Sequence, residues 1–109
     1  MQARKRTVLH YVVDGRDIFE QWLRALPDLV GQAATVKRLG RMEEGNFGDC
    51  RGLGSGLWEL RVHSGPGYRV YFGEDGPVII VILCGGDKRS QTRDIRKARK
   101  FWDEYRRLK

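Results

Sequence analysis

The stretch ELRVHSGPGYRVYFGEDG, residues 59–76, decides the fold because it holds two strand-like segments on either side of a Gly-Pro-Gly turn. Apolar and polar residues alternate in both segments, and successive side chains of a β-strand point to opposite faces of a sheet. The pattern therefore predicts an antiparallel hairpin with one apolar face against a core and one polar face open to a ligand or to solvent.

The register of this hairpin follows from the requirement that the two apolar faces coincide, since directly opposed residues point to the same side. Leu60 then pairs with Val70, and Arg61 pairs with Arg69. Two directly opposed arginines cost about a few tenths of a kcal/mol in repulsion. Their guanidinium forks match phosphate oxygens, so the pair indicates a phosphate-binding face. The alternative is that both are solvated and pair with Glu59 and nearby carboxylates.

The other segments predict an α+β fold in the order β-α-α-β-β-β-β-α. An N-terminal strand and a helical hairpin are expected to pack on a mostly antiparallel sheet of four to five strands, and a basic helix ends the chain. The predicted bounds outside the hairpin are 7–13 for the first strand, 16–26 and 28–44 for the helices, 49–53 for a short strand, 77–84 for a central strand, and a last helix capped by Ser90.

The second helix has apolar residues at helical spacing, so one face of it is expected to be buried. Asp28 is the expected N-cap, and Pro27 ends the helix before it. The residues predicted to face the core are Leu29, Val30, Ala33, either Val36 or Leu39, and Met42.

Length and composition limit the kind of protein. At 109 residues the chain is expected to form a single domain, residues 1–109. It has no apolar segment of the roughly 18 to 20 residues that span a membrane, so we expect a cytoplasmic protein with no membrane partner. Cys50 and Cys84 lack the spacing of a metal knuckle or a redox pair, so neither a metal nor another cofactor is predicted.

The charge is distributed unevenly along the chain, which has a formal net charge of +7. Residues 88–109 hold ten basic and three acidic side chains, whereas residues 1–87 hold eleven of each. A basic C-terminal segment of this kind favours a polyanionic partner, either a nucleic acid or an acidic protein.

Two motifs at their mutual spacing are specific: GPGYRVYF at residues 65–72 and GGDKRSQTRDI at residues 85–95. Together with RLGRMEEGNFGD, residues 38–49, they closely resemble the RelE/ParE superfamily of toxins from type II toxin–antitoxin modules. Within it the sequence is most similar to the HigB-like, phage Gp49-like group of addiction module killer proteins. The resemblance covers about residues 16–102 and implies a RelE-like fold.

The resemblance implies an endoribonuclease (mRNA interferase) that enters the ribosomal A site and cleaves the mRNA there without a metal. A helix-turn-helix antitoxin would be its protein partner. Arg69 matches the arginine that holds the scissile phosphate in RelE-like enzymes, while Arg61 and Lys88 match further basic positions, and His63 is the one imidazole near this face. Further RNA contacts are expected from Arg51, Tyr71, Arg89 and Arg93.

The sequence departs from the RelE pattern at two positions. Glu59 stands where that branch has a basic residue, and Asp94 stands near the place of its C-terminal tyrosine. The general acid and base are therefore left open among His63, Glu59, Tyr71 and Asp94. Two other functions also stay open: a ParE-like gyrase poison that acts by protein contact, and an inactive member that acts only in a DNA-binding repressor complex with its antitoxin.

Overall fold

The computed structural model describes residues 4–109 and confirms the predicted α+β class. Its main sheet has five strands in the order β1-β7-β6-β5-β4, in which β1 runs parallel to β7 and the other neighbours are antiparallel. The strands are β1 Thr7–His10, β4 Cys50–Gly54, β5 Leu57–Val62, β6 Tyr68–Asp75 and β7 Ile79–Asp87, and the helices are α1 Ile18–Ala25, α2 Leu29–Glu43 and α3 Gln91–Arg107. Residues 1–3, which the predicted single domain includes, lie outside the described residues.

The first predicted strand is wrong in extent, because it ends at His10 rather than at residue 13. The next residues instead form a small hairpin of β2 Val12–Val13 and β3 Arg16–Asp17. Asp14 and Gly15 turn the chain with φ values of 51° and 76°, the left-handed conformation that a two-residue hairpin turn needs. This turn brings Asp17 to the start of α1, where its carboxylate accepts the Glu20 N–H at 3.0 Å.

The predicted orientation of α2 is wrong for most of its residues. Asp28 caps the helix and Met42 is buried, as predicted, and of the two alternatives Leu39 packs against the core while Val36 is exposed. The side chains of Leu29, Val30 and Ala33 are exposed instead of buried, and that of Thr35 is buried. The cause is Gly31, because a Cβ there would lie 2.4 Å from the ring of Tyr68. Because of this close approach, the side of the helix that carries Gly31 faces the core. The hydroxyl of Thr35, on the same side, donates a hydrogen bond to the Gly31 carbonyl at 2.8 Å.

The sheet has a hydrophobic core on each face. Helices α1 and α2 cover the side of the sheet that carries Leu60, Val70 and Ile82, and α3 covers the side that carries Tyr71 and Leu83. Trp102 lies over Gly73, where a Cβ would come within 2.3 Å of the indole ring. The polar face predicted for the hairpin is therefore partly covered by α3.

Ser90 precedes α3 as predicted, but its hydroxyl makes no capping bond to the backbone. It donates instead to the Asp94 carboxylate at 2.5 Å. No helix within residues 4–109 is long and apolar enough to cross a membrane.

Candidate functional site

Four of the residues predicted to be catalytic surround one cavity of about 430 Å³, which we call the site cavity. Arg61 comes from β5, Arg69 from β6 and Lys88 from the segment after β7, and His63 begins the Gly-Pro-Gly turn. The turn itself, residues 64–67, forms the remaining wall. Separate parts of the chain thus place two guanidinium groups, one lysine and one imidazole around a single space.

The strand register explains this assembly. Arg61 pairs directly with Arg69, as predicted, and Tyr68 pairs with Asp87, the last residue of β7. The Lys88 N–H then donates to the Gly67 carbonyl at 3.1 Å, which holds the lysine beside the turn. Lys88 therefore reaches the cavity although 19 positions separate it from Arg69 in the sequence.

The Gly-Pro-Gly turn is fixed at its base by a hydrogen bond to the helical side of the molecule. The Tyr68 hydroxyl donates to the Asp28 carboxylate at 2.7 Å, and this bond raises the pKa of Tyr68 to about 12. Gly65 and Gly67 have φ values of 51° and 85°, a region that favours glycine. Both features indicate that the turn keeps a set position beside Arg69.

Glu59 lies beneath the arginines and is fully buried. Its Oε2 accepts from the Tyr71 hydroxyl and the Gln91 amide, each at 3.0 Å, and its Oε1 lies 3.3 Å from the Arg51 guanidinium and 3.4 Å from Arg61 Nε. Burial opposes ionisation, but the hydrogen bonds from Gln91 and Tyr71 and the arginine charges outweigh it and lower the pKa of Glu59. The carboxylate is thus a buried anion shared by several cations.

Arg69 is the deepest of these cations, with 13% of its side chain exposed against 35% for Arg61 and 46% for Arg51. Its Nε lies 3.7 Å from Glu59 and has no hydrogen-bond acceptor among residues 4–109. One carboxylate faces three guanidinium groups, so the group as a whole is positively charged. Arg61 and Arg69 also line the site cavity, so an anion there would meet this positive charge.

His63 is held at the rim of the cavity. Its Nε2 lies 2.6 Å from the Asp49 carboxylate, and the imidazole is 75% exposed. This hydrogen bond is the main cause of the lowered pKa of Asp49. Sequence reasoning did not single out Asp49, because it lies 14 positions from His63 and only the pairing of β4 with β5 brings the two together.

The other candidates for acid and base lie away from the cavity. Tyr71 is fully buried, which does not fit the direct RNA contact predicted for it, and burial together with the Glu59 charge raises its pKa. Asp94 is 2% exposed and bonds to Ser90. Of the four acid and base candidates, His63 is the one that lines the site cavity.

The residues predicted to contact RNA are divided between two places. Arg51 reaches Glu59 from β4, next to the arginine pair. Arg89 and Arg93 line a separate groove between α1 and α3. Gln91, the first residue of α3, donates to the buried Glu59 carboxylate.

One group of side chains among residues 4–109 has the composition of a metal site: His10, Asp17 and Glu20, whose ligand atoms lie within 4.8 Å of one another. His10 Nδ1 already bonds Asp17 at 2.7 Å, and Glu20 already pairs with Arg24 at 2.9 Å. These residues do not line the site cavity, and we assign no metal to them.

Comparison with known proteins gives one family and one relative. Residues 21–103 match the model of the family described as Phage derived protein Gp49-like (DUF891), a range that contains the whole site cavity. A Haemophilus influenzae protein named "Uncharacterized protein" is 42% identical over 81 residues, which is 74% of this chain and 82% of the relative. No solved structure matches the chain.

Proposed function

This chain belongs to the phage-derived Gp49-like family, which is associated with toxin–antitoxin modules, and we propose that it is a toxin that cleaves mRNA on the ribosome. The observation that carries this proposal is the site cavity, in which Arg61, His63, Arg69 and Lys88 converge. Three cations suit a phosphodiester and the extra charge of its transition state, and an imidazole suits proton transfer.

In the proposed reaction the 2′-oxygen of one nucleotide attacks the adjacent phosphorus, and the bond from phosphorus to the 5′-oxygen of the next nucleotide breaks. The 2′-hydroxyl proton passes to His63, and the leaving 5′-oxygen takes a proton from Lys88 or from water. The products are a 2′,3′-cyclic phosphate and a 5′-hydroxyl. No metal is needed, because the guanidinium groups of Arg61 and Arg69 neutralise the charge that develops on the phosphorane.

His63 is a better base than Glu59 in this scheme because of their surroundings. Glu59 is fully buried, and Tyr71, Gln91 and the arginines occupy its two oxygens. His63 is exposed at the cavity rim, and its Asp49 partner holds the ring in place and would stabilise the imidazolium. We therefore assign Glu59 the role of positioning the arginines.

A gyrase poison that acts by protein contact alone has no need of such a cavity. The convergence of three cations and an imidazole favours cleavage over that function. The family association implies a cognate antitoxin as partner. The proposed substrate, translated mRNA, would place the action of the toxin in the cytoplasm.

The test is inducible expression in a bacterial host without antitoxin, followed by primer extension on a translated reporter mRNA. Wild-type protein should arrest growth and cut within codons, and Arg69→Ala should abolish both effects. Arg24→Ala is the matched control, because Arg24 is an exposed arginine, its side chain 79% exposed, outside the site cavity. The cuts should disappear from a reporter that lacks its start codon.

Other outcomes would overturn parts of the proposal. Cuts that persist without a start codon would overturn ribosome dependence. Growth arrest without cuts, unchanged in Arg69→Ala, would overturn the nuclease and direct attention to gyrase. No arrest with wild-type protein would favour an inactive member that acts only with its antitoxin.

A further inference from the structure

A second concave surface lies beside the site cavity, and we call it the α1–α3 groove. It has a volume of about 690 Å³, compared with 430 Å³ for the site cavity. Ile18 and Trp22 of α1 form one wall, and Arg93, Arg96 and Lys97 of α3 form the other. A groove with an aromatic wall and a cationic wall has the chemistry of single-stranded nucleic-acid binding, in which bases stack and phosphates pair with cations.

Two glycines at the end of β7 form the floor of the groove. A Cβ at Gly85 would lie 2.4 Å from the Trp22 ring, and one at Gly86 would lie 1.8 Å from the Asp94 carboxylate. Their lack of side chains lets both walls approach the sheet. The Trp22 indole packs on Gly85 and stays partly exposed to the groove.

The charge of the groove is positive because its lining holds four basic side chains, Arg89, Arg93, Arg96 and Lys97, against the two acids Asp87 and Asp94. Asp87 accepts the N–H groups of Arg89 and Ser90 at 2.9 and 3.1 Å, and Asp94 is almost fully buried against the Ser90 hydroxyl. Within the described chain, Arg89, Arg96 and Lys97 have no carboxylate within ion-pair distance, and Arg93 has only Asp94, at 3.9 Å. The cations of the groove are available to an external anion.

The groove continues the site cavity through adjacent residues. Lys88 lines the site cavity, and the next residue, Arg89, lines the groove. Arg93 and Lys97 follow on α3, four positions apart, so they lie about one helical turn of roughly 5.4 Å from each other on one side of the helix. A polyanion whose phosphate occupies the site cavity would meet this row of cations next.

We infer that the α1–α3 groove binds the nucleotides that flank the scissile phosphate of a single RNA strand, with phosphates on Arg93 and Lys97 and a base against Trp22. The inference rests on the proposed function, since it extends the same substrate beyond the site cavity. RNA is favoured over an acidic peptide because of the continuity with the phosphate-binding cations.

Fluorescence anisotropy with fully 2′-O-methylated, labelled oligoribonucleotides tests this inference. Methylation removes the attacking hydroxyl, so binding is measured without cleavage. Probes of about three and about nine nucleotides are compared, since only the longer can leave the site cavity and reach the groove. The groove variant is Arg93→Ala/Lys97→Ala, and the control Arg99→Ala/Arg107→Ala removes the same charge from α3 positions outside the groove.

We expect the groove variant to bind the longer probe at least about tenfold more weakly and to reduce its salt slope by about 1.4, because two phosphate contacts are lost. The shorter probe should bind the groove variant and the control variant alike. Equal weakening of the longer probe by the two variants would overturn the inference, because it would indicate net charge alone. So would an unchanged RNA affinity combined with loss of binding to a labelled poly-glutamate peptide, which would make the groove a protein-binding site.

The proposed nuclease activity is judged separately. Cleavage of the reporter mRNA by wild type and Arg69→Ala tests the nuclease activity. The anisotropy of the uncleavable probe tests whether the α1–α3 groove binds RNA. A protein that binds the longer probe through the groove and cuts no mRNA would contradict only the proposed function.

Discussion

Arg61 and Arg69 lie directly opposite each other on β5 and β6, and both approach the same buried carboxylate, that of Glu59. Direct opposition of like charges destabilises a sheet, and an isolated buried carboxylate is also unfavourable. The two unfavourable effects offset each other here, because the buried carboxylate of Glu59 lies close to both guanidinium groups. Both arginines approach Glu59 through Nε, and both line the site cavity.

Replacing Glu59 by glutamine should destabilise the protein by about 2–3 kcal/mol, because the arginines and the buried donors lose their shared anion. Urea denaturation followed by circular dichroism measures this change in the free energy of unfolding. Glu20→Gln is the matched control, since Glu20 forms an exposed pair with Arg24 on α1 and should change stability by less than about 0.5 kcal/mol. Equal effects of the two substitutions would contradict the central role of Glu59.

The stability of the protein should fall in acid partly through Glu59. Its pKa is lower in the folded protein than the usual value of about 4.3, so the folded state binds fewer protons. The stabilisation is complete above the unfolded pKa and is lost as pH falls through the folded pKa. Unfolding free energies between about pH 6 and pH 2 should fall more steeply for wild type than for Glu59→Gln, and parallel curves would show that this carboxyl has no part in the effect.

Two glycine-to-alanine substitutions should shift stability in opposite directions. Gly85→Ala places a methyl group 2.4 Å from the Trp22 ring and should cost about 1–3 kcal/mol. Gly40→Ala, inside α2 with no atom within 4 Å of the new Cβ, should stabilise by about 0.5–1 kcal/mol. Thermal denaturation of both variants measures the difference, and a neutral Gly85→Ala would mean that Trp22 moves away from the sheet at little cost.

His63→Ala should lower the rate of RNA cleavage by about 10²–10⁴-fold without unfolding the protein, because the imidazole is exposed and serves as the proposed base. Added imidazole should restore part of the rate in His63→Ala and none in Arg69→Ala, since only the former leaves a space for the missing ring. Cleavage of a ribosome-bound mRNA by purified protein provides the measurement. A rate in His63→Ala close to that of wild type would assign the base elsewhere.

The sequence was sufficient for the features that depend on local pattern. Alternation of apolar and polar residues predicted the β5–β6 register to the residue, including the Arg61–Arg69 pair. The Asp28 cap was also predicted, because helix starts depend on a few neighbouring residues. The two strands of this hairpin are close in sequence, so their pairing could be predicted without knowing the rest of the fold.

The sequence alone determined the β5–β6 pairing, the Arg61–Arg69 pair and the basic last helix, because these follow from periodicity and charge. Only the tertiary structure decided which faces are buried. Gly31 turned the apolar residues of α2 outward by allowing a close contact with Tyr68, and α3 covered Tyr71 and Glu59 on a face that alternation marked as open. Such outcomes depend on which distant element packs against a surface, and the periodicity of one segment carries no information about its neighbour.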